Sequence, residues 1–521
     1  MPLYGPSADG IEPVDISNVL AAGLRDHPDE VAVVSTKNSW TWRQLDKACE
    51  RYAAHLYAKG IRKGDRVASL MPNRDTLVVH YLGCLRAGFV AVPLNYRYMA
   101  PEIDHALSLV KPKIILAHVE READLAASEE VAKLPLGVIS YGEGEGDDSI
   151  EAMLEKEAPE VTQQKTEPGD PAAVFFTSGS TGKPKGVTHS FDTLGRMFAT
   201  HVVGYEMTKD DVMLSASSMS HIGSFLHGIM SLAMGIKILL PRTFDADEAL
   251  WLLRHHAPTI FLMLPSALFG VVRHPDAKRE DFASIRLCIS GGDKVPLELE
   301  RAFDQLTGVP IEECYGMSEI GIATRTPPTG LNKPGSVGPA NIGYALSIRD
   351  EDGNEVEPGI DGRLWVKSPI NMIGYWNNPK ATAKTIVDGW LDTGDVMSAD
   401  GDGYLWFHGR KKQIIVHDAS NISPQEVEET LVEHPAVLTA GVVGVHDLVH
   451  GENVWAYVTL SDEVDRPDTG ELIEFSRERV GYKAPEVIIV LDEMPLNATG
   501  KVDRVTLKKW AAERHDAEVA G

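Results

Sequence analysis

Cysteine is scarce. Cys49, Cys84, Cys288 and Cys314 are the four in 521 residues, and none are paired at zinc-finger or redox spacing. A disulfide framework is thereby excluded, and a reduced, cytoplasmic protein is expected. Positive charge is also short: 50 Lys+Arg stand against 76 Asp+Glu, for a net charge of -26. A nucleic-acid binder would carry a broad basic surface, so no nucleic-acid partner is expected, and any anionic ligand must be held by local cations and backbone N–H groups. The opening "MPLYGPSADGIEP" lacks a basic region followed by an apolar core, which argues against a secretory signal. No apolar run spans a bilayer comfortably. The most apolar, Phe225 to Pro241, contains His227, Lys237 and interior glycines, and it predicts a buried helix feeding a strand rather than a transmembrane segment. Long Pro- or Ser-rich linkers and repeats of fixed period are absent as well.

What is present is enough apolar sequence for large cores, 43% hydrophobic against 24% charged. The length predicts two to four domains of ~150 residues. Helical and strand patterns alternate early. "WTWRQLDKACERYAAHLYAKG" and "RDTLVVHYLGCLRAG" have helical spacing and stop at glycine, "APEIDHALSLV" is a further helix, and "DRVASLM", "VAVPLN" and "PKIILAH" read as strands. The alternation predicts α/β layers with mainly parallel sheets. Gly142 to Asp148 is a polar, glycine-rich connection. After Gly353 come short strands punctuated by glycine and aspartate, "GRLWVKSP", "GWLDTGDV" and "GYLWFHGR", which predict a small β subdomain. Beyond Lys412 a compact α/β unit follows, with a helix over Gln425 to Glu433 and strands at "LTAGVVGV", "NVWAYVTL" and "EVIIVLDEMP". Ser423-Pro424-Gln425-Glu426 reads as a capping box with proline at the first helical position.

The strongest chemical signal is "FFTSGSTGKPKGVTHS", Phe175 to Ser190. An apolar strand runs into a loop whose glycines let the backbone approach a ligand, and whose hydroxyls and lysines offer donors and positive charge. Such a loop suits phosphates. It is not a Walker A loop, because the four-residue gap ending in Gly-Lys-Ser/Thr is missing. A flexible linker would not follow a buried strand or carry Lys-Pro-Lys.

"TSGSTGKPKG" resembles the signature loop of the adenylate-forming superfamily, which includes acyl-CoA synthetases, peptide-synthetase adenylation domains and firefly-type luciferases. Further motifs follow in the family's order: "YGMSE" (Tyr315 to Glu319), "DGWLDTGD" (Asp388 to Asp395), "GYLWFHGRKK" (Gly403 to Lys412) and "PLNATGKVDR" (Pro495 to Arg504). The resemblance covers nearly the whole chain. It implies a large N-terminal AMP-binding domain over 1–411, of layered α/β subdomains plus a small β subdomain. This would be hinged at Lys412 to a small, mobile C-terminal α/β domain over 412–521.

The implied chemistry converts a carboxylate, a poor electrophile, into an acyl-adenylate by attack on the α-phosphate of ATP. Such displacement is catalysed chiefly by positioning and charge neutralisation. By resemblance, Thr177, Ser178, Gly179, Ser180, Thr181, Gly182 and Lys185 hold the departing pyrophosphate. Glu319 and Thr177 help hold Mg2+, and Ser318 stands where the family usually has threonine. Ser290-Gly291-Gly292-Asp293 forms a wall against adenine, with Gly316 and Met317 beside it, and Tyr315 stacks on the base. Asp395 accepts from the ribose hydroxyls, and Arg410 adds a second ribose or phosphate contact. Lys501 stabilises charge growing on the carboxylate and α-phosphate oxygens. His221, in "SSMSHIGSF", borders the carboxylate and later the thiol.

No carrier-protein domain is visible, so free coenzyme A is the economical acceptor, with Arg97, His450 and Lys483 near its nucleotide. Many ligases have Gly-Gly where this chain has Asp418-Ala419, beside the presumed pantetheine tunnel. By position, Ile222, Gly223, Ser290, Cys314 and Gly321 line the acyl pocket, and the glycines there predict a roomy one. No aspartate near Gly204 is placed to bind an amino group, which directs the expectation to a small-molecule acid that is medium-chain, branched or aromatic. Two alternatives stay open: an adenylating enzyme that does not use free coenzyme A (carrier-loading or luciferase-like), and a non-catalytic nucleotide-binding protein. Homodimers are common in the family, an analogy only.

Overall fold

The computed structural model describes residues 2–520, apart from 143–147, 163, 178–183, 243–244, 293–294, 411–412, 418–419, 448–450, 462–465 and 498–499; at 266, 297, 420–421, 451 and 516–520 only the backbone is described. The chain forms two compact units. One comprises Pro2–Leu346 and Val366–Leu391, the other Ser347–Trp365 and the described residues from Asp392 onward.

The larger unit is built on two sheets. In the first, strands Gly374–Tyr375, Lys185–Ser190, Pro171–Thr177, Val90–Leu94, Arg66–Leu70, Ile114–His118 and Val138–Tyr141 lie side by side in that order. From Pro171–Thr177 onward the pairing is parallel. Val90–Leu94 and Ile114–His118 are buried at every residue, as strands covered on both faces must be. The predicted helices are there with their stops. Trp42–Ala58 starts at Thr41, whose hydroxyl accepts from the Gln44 N–H while the Gln44 side chain accepts from the Thr41 N–H. Asp75–Ala87 ends at Gly88 in the left-handed region.

The second sheet runs Gly321–Arg325, Ile311–Met317, Leu287–Gly291, Ile260–Leu262, Val212–Ser215, Lys237–Leu240, Val31–Ser35, Ser39–Thr41. Its interior is parallel and both ends are antiparallel pairs. One of its cores gathers Leu214, Phe261, Phe282 and Phe303. The apolar run 225–241 is the buried helix Ile222–Ala233 feeding the strand Lys237–Leu240, as predicted. Among the described residues no helix is long and apolar enough to cross a membrane.

In the smaller unit a hairpin from the strands Trp390–Ala399 and Leu405–Arg410 places Asp395 opposite Arg410. Its turn is fixed by Asp400, whose Oδ1 accepts from the N–H groups of Asp402 and Tyr404. A five-stranded sheet follows, with Val437–Asp447 and Gly451–Leu460 as its long pair. Its alternation is visible in the cores. Val442, Val454, Ala456 and Val458 pack on one side with the helices Pro424–Val432 and Thr469–Val480, and Val443, Val445, Trp455 and Tyr457 on the other with Arg504–Ala520.

One local expectation fails here. Pro424 does take the first helical position after Ser423, but the Ser423 side chain makes no cap hydrogen bond. Glu426, the residue a capping box would send back to the N-terminus, is held instead by the Lys483 ammonium at 2.6 and 2.8 Å. A charge-assisted pair outcompetes the neutral local bond.

Candidate active site

The "YGMSE" motif is a β-hairpin. Ile311–Met317 pairs antiparallel with Gly321–Arg325, and the register shifts between Tyr315 and Gly316. At Gly316 an added Cβ would lie 2.2 Å from the Gly321 carbonyl oxygen, so only glycine permits this crossing. The turn between the strands is clamped from behind. His189 Nε2 donates to the Ser318 carbonyl at 2.7 Å, the Met372 N–H donates to the Glu319 carbonyl at 2.7 Å, and the Tyr344 hydroxyl donates to the Ile320 carbonyl. Burial pushes His189 down to about 4, so it serves as a neutral donor.

The clamp presents the Glu319 carboxylate, which is 3% exposed and accepts from the Tyr375 hydroxyl at 2.8 Å. The Lys185 ammonium sits 3.9 Å from the centre of the same tyrosine ring, a cation–π contact. Lys185 is in turn the cross-strand partner of Thr177. Tyr375 therefore links the end of the phosphate-loop hairpin to the carboxylate. Sequence reasoning missed it, since "IGYWNN" carries no charge and no glycine-serine signal. Thr177 Oγ1 is buried with no hydrogen-bond partner among the described residues. A carboxylate and a hydroxyl are donors of the kind Mg2+ takes when phosphates and water complete its shell. Among the described residues no group of three or more His, Cys, Asp or Glu could hold a metal by itself, so a cation here depends on ligand oxygens.

A second constellation surrounds His221, which stands just before the helix Ile222–Ala233. Asn95 Nδ2 donates to His221 Nε2 at 3.2 Å, and Asn95 Oδ1 accepts from the Arg97 N–H at 2.9 Å. One buried amide thus ties the end of the Val90–Leu94 strand to the histidine and fixes its acceptor nitrogen. Asn95 was not anticipated either. Arg97 itself is exposed.

The expected acyl-pocket residues differ in what they contribute. Ile222 is buried. Gly223 faces open space, with nothing within 4 Å of an added Cβ. Gly321 does not open the pocket: its φ is +66° and an added Cβ would lie 2.9 Å from the Met197 side chain. Its smallness serves the turn. The Ser290 hydroxyl donates to the Met263 carbonyl at 2.8 Å. Cys314 Sγ would lie 2.6 Å from a Cβ on Gly291, so Gly291 gives the thiol its place, and burial pushes that thiol up to about 12. Gly292 takes φ +84° at the strand end.

In the smaller unit Asp395 is buried and pairs with Arg410 across the hairpin, Nε to Oδ1 at 3.3 Å. Lys501 lies on a tight loop. Asn497 donates its N–H to the Lys501 carbonyl at 2.7 Å and accepts from the Lys501 N–H through Oδ1 at 3.2 Å. Gly500 takes φ +83° to close it. The Lys483 ammonium is engaged by Glu426. Ser178, Gly179, Ser180, Thr181, Gly182, Asp293, Lys412, Asp418, Ala419 and His450 lie outside the described residues.

Residues 20–376 match the AMP-binding enzyme family, and residues 426–501 match the AMP-binding enzyme C-terminal domain. The chain is 32% identical to the long-chain-fatty-acid–CoA ligase of Bacillus subtilis, over 96% of this chain and 95% of that one. It is 31% identical to the indoleacetate–CoA ligase of Aromatoleum aromaticum, over 95% and 97%. Among solved structures it is similar to ATP-bound MatB from Rhodopseudomonas palustris, with TM-score 0.87, 29% identity and coverage of 96% and 99%.

Proposed function

The chain belongs to the AMP-binding enzymes, and from that premise we infer that it is an ATP-dependent acid–thiol ligase: carboxylate + ATP gives acyl-adenylate + pyrophosphate, and acyl-adenylate + coenzyme A gives acyl-CoA + AMP. The observation that carries this reading is the Lys185–Tyr375–Glu319 cluster beside Thr177. An ammonium and a buried carboxylate, held by one tyrosine at the mouth of the phosphate loop, suit a departing pyrophosphate with its counter-ion.

In this reading Lys185 and Thr177, with Ser178, Gly179, Ser180, Thr181 and Gly182, hold the β- and γ-phosphates. Glu319 and Thr177 hold Mg2+, which neutralises charge on the phosphate oxygens when bound. Tyr315, Gly316, Met317 and Ser318, with Gly291, Gly292 and Asp293, frame the adenine, and Asp395 and Arg410 take the ribose. Asn95 orients His221 beside the acid's carboxylate. Lys501 meets the negative charge that grows as the carboxylate attacks. The domain boundary falls at 411/412, with Lys412 as hinge. Arg97, His450, Asp418, Ala419 and Lys483 border coenzyme A, Lys483 through the exchange of Glu426 for a phosphate. The acid is medium-chain, branched or aromatic, and the setting is cytoplasmic and homodimeric.

A second reading has one observation in its favour. Asp418-Ala419 replaces the glycine pair beside the thiol tunnel, and a Cβ and carboxylate there would hinder a pantetheine arm. An acid panel run with and without coenzyme A separates the two. The ligase reading expects AMP release and a thioester that needs coenzyme A; acid-dependent exchange of pyrophosphate into ATP without any thioester would sink it.

A further inference from the structure

Behind the acyl-pocket positions lies a group of buried polar side chains that the reaction described above does not use. His201 is on the helix Phe191–Gly204 and Tyr205 caps that helix; His227 is on Ile222–Ala233; Glu312 and Arg325 are on the two strands of the 311–325 hairpin. Their exposures are 0, 0, 1, 5 and 8% in that order. The Tyr205 ring is central. It lies 6.4 Å from the His201 ring and 5.4 Å from the His227 ring, with the Arg325 guanidinium 5.3 Å from its centre.

Each of the five has a buried polar atom with no hydrogen-bond partner among the described residues: His201 Nε2, His227 Nε2, Tyr205 Oη, Arg325 Nη1 and Glu312 Oε2. Native interiors rarely leave one such atom unmet, let alone a cluster. Their chemistry can be assigned. His201 Nδ1 faces the Met197 carbonyl at 2.6 Å, and His227 Nδ1 faces the Gly223 carbonyl at 2.7 Å. A carbonyl only accepts, so each Nδ1 carries the proton and each Nε2 is an acceptor. Arg325 gives its Nε–H to Asn341 Oδ1 at 2.9 Å, which leaves Nη1 as a donor. The Tyr205 hydroxyl lies near the Cys314 thiol, a group that donates and accepts only weakly.

The cluster touches the acyl-pocket positions at three points. His227 is bonded to Gly223, one turn away on the same helix face, and Gly223 borders open space. Tyr205 meets Cys314. Met197, whose carbonyl holds His201, is the side chain packed against Gly321. We propose that these five side chains form the end wall of the acyl pocket and select an acid whose far end carries a hydroxyl group. The inference rests on the ligase reading and on the assignment of Gly223, Cys314 and Gly321 to the pocket.

A hydroxyl fits because it does both things the wall requires. Its oxygen accepts from Arg325 Nη1 or Tyr205, and its proton goes to a histidine Nε2 or to Glu312. A plain methyl end would leave all five atoms unmet, which is what allows such sites to reject the analogue lacking the group. A second carboxylate would answer Arg325 but would sit beside Glu312, whose carboxyl burial pushes up to about 7, and it offers no proton to the histidine acceptors, which stay unmet unless an imidazole becomes charged. Burial and the neighbouring Arg325 cation oppose that, holding His201 at about 3, and burial holds His227 at about 4. The rise along the helix from His221 to His227 is roughly 9 Å, which sets the span from carboxylate to hydroxyl.

The test is a set of matched acids given to the full chain with ATP and Mg2+, read as kcat/KM for pyrophosphate release: 3-(4-hydroxyphenyl)propanoic against 3-phenylpropanoic acid, and 8-hydroxyoctanoic against octanoic and octanedioic acids. Each hydroxy acid is expected to exceed its parent by at least about tenfold. In Tyr205→Phe and His227→Leu that ratio should collapse toward unity. Parent acids used as well as their hydroxy partners by the wild type would overturn the proposal without need of any variant. A preference for octanedioic acid would overturn it in favour of ionic recognition by Arg325. If no acid releases AMP with or without coenzyme A, the ligase reading falls and takes the end wall with it.

Discussion

Glu319 and Lys501 are held in contrasting ways. Glu319 sits in the larger unit, nearly fully buried, with its carboxylate bonded by Tyr375 and the backbone on either side of it gripped by His189, Met372 and Tyr344. Lys501, in the smaller unit, is half-buried, with its backbone carbonyl and N–H both bonded to Asn497, a few residues away along the chain. The first is a group pre-set by several elements, as a metal–phosphate site requires. The second is a cation whose backbone is set by a neighbour a few residues away. The contrast teaches that the two charges central to the proposed adenylation are specified at different ranges, one by tertiary structure and one locally.

The sharpest way to break the contrast is Lys501→Ala. Adenylation should fall by about 10²-fold or more, while thioester formation from supplied acyl-adenylate is spared. Equal loss in both half-reactions would remove the division of labour. Next in size, Tyr375→Phe removes a hydrogen bond to a buried carboxylate, worth about 1.5–3 kcal/mol. It should lower kcat/KM for ATP by roughly tenfold or more, with a raised Mg2+ requirement and little change in thioester formation. An unchanged Mg2+ titration would mean that Glu319 needs no such support.

A third prediction concerns the larger unit alone. Burial holds His189, His201 and His227 at about 4, about 3 and about 4, below the usual histidine value of about 6.5. The unfolded chain therefore takes up protons first as pH falls. The folding free energy is undiminished above pH ~6.5 and declines below it, by about 1.4 kcal/mol per pH unit for each histidine, until the folded groups titrate. Denaturant midpoints at pH 7 and pH 5 should differ accordingly, and equal midpoints would contradict neutral burial. The smallest effect is expected of Ala419→Gly. It should raise only the thioester half-reaction, by a few-fold, if the turn borders the thiol arm.

Much of this architecture is legible in the sequence because it is local. Helix stops at Gly60 and Gly88, the strand alternation of 437–460 and the helix-then-strand at 222–240 all follow from periodicity and glycine placement. The motifs also bring out Glu319, Lys185, Asp395 and Lys501 as candidates. What stays hidden depends on partners remote in the chain. Glu426 looks like part of a capping box until Lys483, 57 residues away, claims it. Asn95 and Tyr375 are ordinary residues until folding places His221 and Glu319 against them. His201, Tyr205 and His227 sit in helical patterns where core residues are expected, and nothing local shows that they cluster. Gly321 looks like a space-maker, whereas its neighbour Met197 and its positive φ make it a turn residue.

The strand Ile311–Met317 has one further consequence. Glu312 and Cys314 lie toward Tyr205 and the proposed acid chamber, and the pleat sends the intervening and following side chains, Tyr315 among them, to the opposite side. One ribbon then carries two vocabularies, written on alternate letters. On the proposed reading, descendants of such an enzyme could rewrite positions 312 and 314 and acquire a new acid while Tyr315 goes on spelling the same nucleotide. That interleaving would let a lineage diversify its substrates by single substitutions without first losing the chemistry they share.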